Sequence, residues 1–394
     1  MSRLQRITML IAGLTLAGCA DTSQEPQGEA RQEPAPLYTV QDASRRIPDS
    51  YIVVLKDEAN PRLVAAMAQV LARHEYTAVL NGFAADLTPG QLAFVRNLPF
   101  VAYVEEDQEM MVDVTQTVTA GGGLWGLDRI DQRNLPFSGT FNYTTTASNV
   151  YVYVIDTGIY TSHSQFGGRA TNVYDALGGN GQDCNGHGTH VAGTIGGSTY
   201  GIAKAAQLRG VRVLNCSGSG STSGIIAAID WVRLNRTNPA VANMSLGGGF
   251  STSLNTATNN LANSGVFIAV AAGNSNANAC NASPASASAA FTTAASTKTD
   301  AKASYSNYGS CVDAYAPGSS VQSAWIGSTS ATNTISGTSM ASPHIAGVAA
   351  LYKATFGNAA SSTIDSWLKT NSTANVITGN VSGTPNRLLY KSSL

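Results

Sequence analysis

The feature that most restricts this chain is a series of short, almost continuous apolar runs separated by helical stretches. Val150 to Ile155, Gly210 to Leu214, Val241 to Ser245 and Val266 to Ala271 read as strands, and His190 to Gly196, Thr222 to Asn235, Ser253 to Asn263 and Ser339 to Lys353 read as helices. A strand that is apolar along its whole length must be covered on both faces, so the alternation predicts an α/β domain with a mostly parallel central sheet between helices. In such sheets chemistry gathers at the carboxyl ends of the strands. No internal repeat or coiled-coil pattern competes with this reading.

Upstream the pattern differs. Tyr51 to Leu55 reads as a strand, about Pro61 to Arg73 as a helix, Asn81 to Ala85 as a further compact segment, Thr88 to Asn97 as a helix and Val101 to Val104 as a strand. Together they predict a small α+β domain over residues 50–112. Residues 20–49 are rich in Gln, Glu, Pro and Ser and carry few large apolar groups, so a disordered linker is expected there. Residues 113–123, ending in three glycines, read as an exposed joint, and the larger domain then spans 124–394.

The extreme N-terminus has Arg3 and Arg6, an apolar run from Ile7 to Leu16 and then Leu16-Ala17-Gly18-Cys19. The run is too short for a stable transmembrane helix and suits a signal peptide over residues 1–19, so the chain is expected to leave the cytoplasm. Leu-Ala-Gly-Cys resembles a bacterial lipobox with Cys19 as the lipidated residue and a lipid anchor on the precursor; the alternative is ordinary cleavage after Ala20.

Net charge is −1, so nothing in the total favours nucleic acid as a partner. The distribution says more. Residues 1–112 hold 14 Asp and Glu against 9 Lys and Arg, whereas residues 113–394 hold 10 against 14. No glutamate follows Glu109, so carboxylate chemistry in the larger domain falls to aspartates. Cys184, Cys216, Cys280 and Cys311 form an even set in an exported chain, which predicts two disulfides with three pairings open. No pair has the spacing of a zinc site.

Three segments carry the chemistry. The first strand ends in Asp156-Thr157-Gly158, where a carboxylate held rigidly at a strand end suits the orientation of a histidine. Next comes Asn185-Gly186-His187-Gly188-Thr189-His190-Val191-Ala192-Gly193, with glycines on both sides of His187 at the head of a helix. The third is Ser336-Gly337-Thr338-Ser339-Met340-Ala341-Ser342-Pro343, which puts Ser339 at a helix N-terminus, where backbone dipoles favour a developing negative charge. Taken singly, each has a plainer reading as a turn aspartate, a structural histidine or an N-cap serine. His74, His163, His190 and His344 are assigned to the structural class.

Taken together, in the order Asp, His, Ser, the segments resemble the subtilisin family, and the chain order differs from those of chymotrypsin and the α/β hydrolases. Trp125-Gly126-Leu127-Asp128-Arg129-Ile130 and Asp175-Ala176-Leu177-Gly178-Gly179 are similar to the proteinase K and aqualysin branch. The resemblance covers nearly all of residues 124–390 and implies a subtilisin-like fold and a secreted serine endopeptidase, monomeric when mature. It implies Ser339 as nucleophile, His187 as general base and acid, Asp156 as orienting carboxylate and Asn274, in Ala271-Ala272-Gly273-Asn274, as oxyanion donor.

Gly218-Ser219-Gly220 and Ser245-Leu246-Gly247-Gly248 are similar to the segments that pair with the substrate backbone in this family. Between the latter and Ala271-Ala272-Gly273 the resemblance implies a pocket without charged lining, favouring apolar or aromatic residues before the cut bond. Asp313, with carbonyls of Ser288 and Ala290, resembles a calcium site of the branch, and Asp128, Asp131 and Gln132 a second; oxygen donors suit calcium. Disulfides Cys184–Cys216 and Cys280–Cys311 are implied. Asn81 to Ala85 and Val101 to Asp107 resemble subtilisin propeptide inhibitors, which makes the acidic small domain the enzyme's own folding aid and inhibitor, with self-cleavage expected between 112 and 119. The rival readings are a non-catalytic or narrowly specific processing subtilase acting as a surface-anchored binding or maturation protein, and a chain whose main role is inhibition by the small domain.

Overall fold

The computed structural model describes residues 33–111 and 124–394, of which residues 34–394 make one compact unit. Cys19 and the joint at 113–123 lie outside the described residues. Among the described residues no helix is long and apolar enough to cross a membrane.

The N-terminal part runs β1 (Leu37–Tyr38), β2 (Arg46–Leu55), α1 (Pro61–Met67), β3 (His74–Tyr76), β4 (Gly82–Asp86), α2 (Pro89–Arg96) and β5 (Val101–Met111). Its sheet has the order β1-β5-β2-β4-β3. Local chemistry starts both helices. Asn60 accepts from the N–H groups of Arg62 and Leu63 ahead of Pro61, and Thr88 with Gln91 forms a reciprocal capping box before Pro89. The helix expected from Pro61 to Arg73 stops at Met67, because the chain turns through Gln69 at φ +55° to return as β3.

Residues 34–49, expected within the disordered linker, are ordered. Ala35 N–H bonds to Arg96 O at 2.7 Å and Val104 N–H to Pro36 O at 2.9 Å, and β1 pairs in parallel with β5. Composition missed this because the order comes from backbone groups completing an open sheet edge and not from a core of the segment's own.

The larger part begins with α3 (Trp125–Asp131), β6 (Tyr151–Asp156), β7 (Ala170–Asp175), α4 (His187–Gly196), β8 (Gln207–Arg212), β9 (Ser219–Ser221), α5 (Thr222–Asn235), β10 (Ala240–Met244), β11 (Gly248–Gly249), α6 (Thr252–Asn263) and β12 (Phe267–Ala271). It continues with β13 (Ala282–Ser283), β14 (Phe291–Ser296), β15 (Ala314–Pro317), β16 (Val321–Ala324), β17 (Thr332–Ile335), α7 (Thr338–Phe356), α8 (Ser361–Asn371), β18 (Thr373–Ala374) and β19 (Arg387–Leu388). The central sheet has the order β18-β19-β15-β14-β12-β10-β6-β8-β7. It is parallel apart from the β18–β19 pair.

Strand β6 shows why its sequence is apolar throughout. Val152 and Val154 pack with Val191, Ile195 and Ile345 of α4 and α7, while Tyr153 and Ile155 pack with Ile225, Ile229 and Leu254 of α5 and α6. Each such fully buried side chain contributes roughly 1.5–3 kcal/mol. The second core does not stop at the larger part: Ile52, Val54, Ala84 and Met110 from the N-terminal sheet belong to it.

One buried cation sits near the end of α7. The Lys353 ammonium donates to Gly265 O at 2.8 Å and Asn358 Oδ1 at 2.9 Å, and burial pushes it down from 10.5 to about 8. Between those two values the unfolded chain binds the extra proton, so this group's contribution to stability rises with pH across the window and falls to its minimum below it. In an inactive Ser339→Ala background, Lys353→Met is therefore expected to gain on the parent as pH falls from 10.5 to 8; parallel thermal midpoints over that range would exclude the effect.

Candidate active site

Asp156 ends β6 and His187 begins α4, and both side chains are essentially without solvent exposure. His187 Nδ1 and Asp156 Oδ1 are 2.7 Å apart, and Asp156 Oδ1 also accepts from Thr157 N–H at 2.8 Å. The turn into α4 depends on Gly186 at φ +107°. At Gly188 a side chain is excluded outright, since a Cβ would meet Gly158 O at 2.2 Å.

Ser339, in the first turn of α7, is held by Ser245 at the end of the neighbouring strand β10. Val154 pairs with Asn243, so Asp156 and Ser245, each two residues further on, emerge side by side. Asn243 Nδ2 donates to Ser245 Oγ at 2.9 Å, and Ser245 Oγ donates to Ser339 O at 2.8 Å. That last bond explains Pro343. The proline lies at the sixth position of α7, beyond the first turn where a missing donor is free of cost, and the carbonyl four residues back is that of Ser339. The Ser245 hydroxyl supplies the bond the proline cannot.

Ser339 Oγ itself donates to Ser245 O at 3.1 Å, and His187 Nε2 is buried without a hydrogen-bond partner. The structure thus joins Asp156 to His187 directly and reaches Ser339 through Ser245. Asn274 stands on the same site: its Oδ1 accepts from Thr338 N–H at 2.8 Å, and Gly273 N–H donates to Thr338 Oγ1 at 3.0 Å. The nitrogen of the same amide can only donate.

Asn307 holds this loop and was not legible in the sequence. Its Oδ1 accepts from Ser275 and Ala277 N–H, and its Nδ2 donates to Ala272 O. A Cβ on Gly273, at φ +100°, would stand 2.4 Å from that amide.

Of the four histidines assigned to structural roles, three bond to backbone groups. His190 Nε2 faces Val321 O and His344 Nδ1 faces Met340 O; burial lowers the first to about 3 and the second to about 4. Both are neutral at any ordinary pH. His163 binds Ala331 O and the backbone of Gln165, and His74 pairs across the small sheet in β3.

Beside Ser339 lies a pocket of about 360 Å³ lined by Leu246, Gly247, Gly248, Ala271, Ala272 and Gly273, together with Ser275, Asn278 and Asn307. Ser245 and Gly218 to Gly220 are not in its wall. No charged residue of the larger part lines it, but Asp42 and Arg45 of the N-terminal part do, so the uncharged lining holds for the larger part alone.

Strand β5 fills the cleft edge. The strand expected to end at Val104 continues to Met111, because Glu109, Met110 and Met111 pair with Ser221, Gly220 and Ser219. Met111 also exchanges both backbone bonds with Gly247, at 3.0 and 3.1 Å. The acidic part is held by carboxylates placed on helix N-termini, without an ion pair between the two parts among the described residues. Asp107 accepts from Ser223 N–H at the start of α5, and Glu105 accepts from Ser253 N–H at 2.9 Å and Ser253 Oγ at 2.7 Å at the start of α6. In return Asp230 accepts from Ala78 and Val79 N–H. Burial pushes the Glu105 carboxyl up, against the bonds from Ser253.

Residues 147–388 match the subtilase family. The chain belongs to it. Residues 50–113 match the peptidase inhibitor I9 family, so the peptidase carries its propeptide. It is 49% identical over 409 residues to an extracellular serine proteinase of Thermus sp. (strain Rt41A), covering 97% of this chain and 98% of that one. It is 43% identical over 371 residues to proteinase R of Parengyodontium album, covering 92% and 93%. A cold adapted subtilisin-like serine proteinase of known structure is 51% identical with a TM-score of 0.67, covering 68% of this chain and 98% of that one. The peptidase is a secreted serine protease of the subtilisin-like fold, made with a propeptide.

Its cysteines form Cys184–Cys216 and Cys280–Cys311. The two expected metal sites differ. Asp128 and Asp131 share one face of α3, and with Gln132 Oε1 they accept from N–H groups of Ser138, Gly139 and Asn142 in the following loop, with Lys391 Nζ 3.9 Å from Asp131 Oδ1. At Asp313 the cation is already present in the chain: Lys369 Nζ lies 2.8 Å from Asp313 Oδ1 and 2.9 Å from Asp365 Oδ1, while Asp313 Oδ2 accepts from Thr292 N–H. A calcium held by Asp313 with the carbonyls of Ser288 and Ala290 would compete with this ammonium for the same carboxylate. Lys369 was not legible in the sequence, since α8 has few large apolar residues and it is the i, i+4 spacing of Asp365 and Lys369 along it that delivers the ammonium.

Glu105→Ala removes two bonds from one charged acceptor, together worth about 1.5–3 kcal/mol. The propeptide's inhibition constant against the peptidase is expected to rise about 10- to 100-fold. An unchanged constant would mean that the carboxylate at α6 contributes nothing to retention.

Proposed function

We propose that Ser339, His187 and Asp156 are the reacting triad and that Asn274 is an oxyanion donor. A rotation of the Ser339 hydroxyl off Ser245 O toward His187 Nε2 completes the chain of bonds; catalytic hydrogen bonds are often loose before substrate binds. His187 then takes the Ser339 proton as Oγ attacks the peptide carbonyl and returns a proton to the leaving amine, Asp156 holds the imidazole tautomer, and the Asn274 amide faces the oxygen as it gains charge. The observation that carries this is the 2.7 Å Asp156–His187 contact, buried, with the other imidazole nitrogen unpartnered. Ser339→Ala is expected to yield an uncut precursor without peptidase activity; a maturing, active variant would overturn the assignment.

Substrates in this reading are extended segments that replace β5 between Ser219 and Gly247, with apolar or aromatic side chains favoured in the pocket beside Ala271 to Gly273. What supports this is the pairing of Met110 and Met111 and the uncharged wall. Cleavage of a random peptide mixture with acidic residues dominating before the cut bond would exclude it. Self-cleavage between 112 and 119 and a lipid anchor on Cys19 are read from the sequence, and the masses of the exported forms decide both.

Calcium is proposed at Asp128, Asp131 and Gln132, where it would neutralise the paired carboxylates. Chelation should lower the thermal midpoint of the inactive full chain, and Asp128→Asn should abolish that sensitivity. A midpoint indifferent to chelator in the unmodified site would sink the proposal.

A further inference from the structure

A buried carboxylate without a part in the chemistry above, Asp183, stands between Asp156 and His187 in chain order. Asp183 Oδ1 accepts from Thr157 Oγ1, Asn185 N–H and Gly186 N–H, each at 2.9 Å. Its Oδ2 accepts from Thr189 N–H at 2.9 Å and Thr189 Oγ1 at 2.5 Å. An ionised carboxylate only accepts, so both threonine hydroxyls must spend their single proton on it. Each hydroxyl oxygen is thereby left to accept from the backbone: Thr157 Oγ1 takes Gly188 N–H at 2.8 Å, and Thr189 Oγ1 takes Tyr160 N–H at 2.9 Å.

The sequence positions give this its meaning. Thr157 follows Asp156, and Gly188 follows His187. One residue beyond each partner of the 2.7 Å contact, a second bridge joins the same two segments, and Asp183 fixes its direction. The clamp is anchored further by Asn185, whose Nδ2 donates to Cys216 O beside the Cys184–Cys216 disulfide and whose Oδ1 accepts from His187 N–H.

We propose that Asp183 is a positioning residue for the peptidase reaction, setting the separation and orientation of Asp156 and His187 through the hydroxyls of Thr157 and Thr189. The inference rests on the triad reading given above. None of Thr157, Asp183 and Thr189 lines the substrate pocket, so loss of the clamp acts on turnover and spares binding.

Thr157→Val keeps the side chain's shape and removes both roles of its hydroxyl, whereas Thr157→Ser keeps them. The valine variant is expected to lose about 10- to 100-fold in kcat, the scale of a small misplacement of reacting groups, with KM within about twofold. Its rate of inactivation by a sulfonyl fluoride should fall in step, and the serine variant should recover both. A valine variant with the parent's kcat overturns the proposal.

Because a variant at this place can fail to mature, the same substitutions and Asp183→Asn are also made in Ser339→Ala full-length chain. There the low-field proton resonance of His187 Nδ1–H is expected to shift or broaden in Thr157→Val and Asp183→Asn and to stay in place in Thr157→Ser; a resonance unmoved in all three overturns the proposal. The two readings fail separately: an active Ser339→Ala removes the triad, whereas a normal Thr157→Val beside an inactive Ser339→Ala removes only the clamp.

Discussion

The site depends on one contact, the hydrogen bond between a carboxylate and an imidazole taken out of water together. A buried carboxylate is costly unless donors replace its hydration; Asp156 has Thr157 N–H and His187 on Oδ1, while Oδ2 is buried without a partner. Such a bond persists only if both backbones are immobile. The parallel sheet supplies that for Asp156, which ends a strand flanked by β10 and β8. Glycines with no room for a side chain supply it for His187, by letting the head of α4 press onto the chain at Gly158.

The same sheet brings in the serine. Adjacent strands end side by side, so Ser245 emerges next to Asp156, and its reciprocal bonds with Ser339 draw in the N-terminus of α7. Pro343 belongs to this junction, since a helix with its full set of internal bonds would have no carbonyl to offer Ser245. The loop of Asn274 is fixed from two sides, by Thr338 and by Asn307. Asp156, His187, Ser339 and Asn274 thus share one polar framework built from backbone groups.

The propeptide obeys the same economy of backbone bonds. Strand β5 is a member of its own small sheet and, without a break, the strand that occupies the cleft. Occupancy of the cleft is therefore coupled to the folding of the small domain, and Met110 enters the core of the peptidase with it. The excess of acidic residues in this domain finds the partial positive charge of two helix N-termini, where direction matters more than net charge. At Asp313, by contrast, the compensation is local and comes from Lys369.

The sequence by itself determined the alternation of apolar strands and helices, because burial on both faces of a sheet leaves its mark on every residue of a strand. It also marked Asp156, His187 and Ser339, because glycines and a helix start surround side chains that approach a backbone closely. It determined the elements poorly where Ala, Ser and Thr carry them, as in β14, β15 and α8, since such residues pack well without an apolar signature. Residues 34–49 and the long reach of β5 were hidden for another reason: their order is donated by partners far away in the chain. Only the tertiary structure decided which cation faces Asp313, which threonines Asp183 aligns and which carbonyl Ser245 satisfies. Contacts between residues 6 to 94 positions apart depend on distance and direction in space, and no local pattern records them.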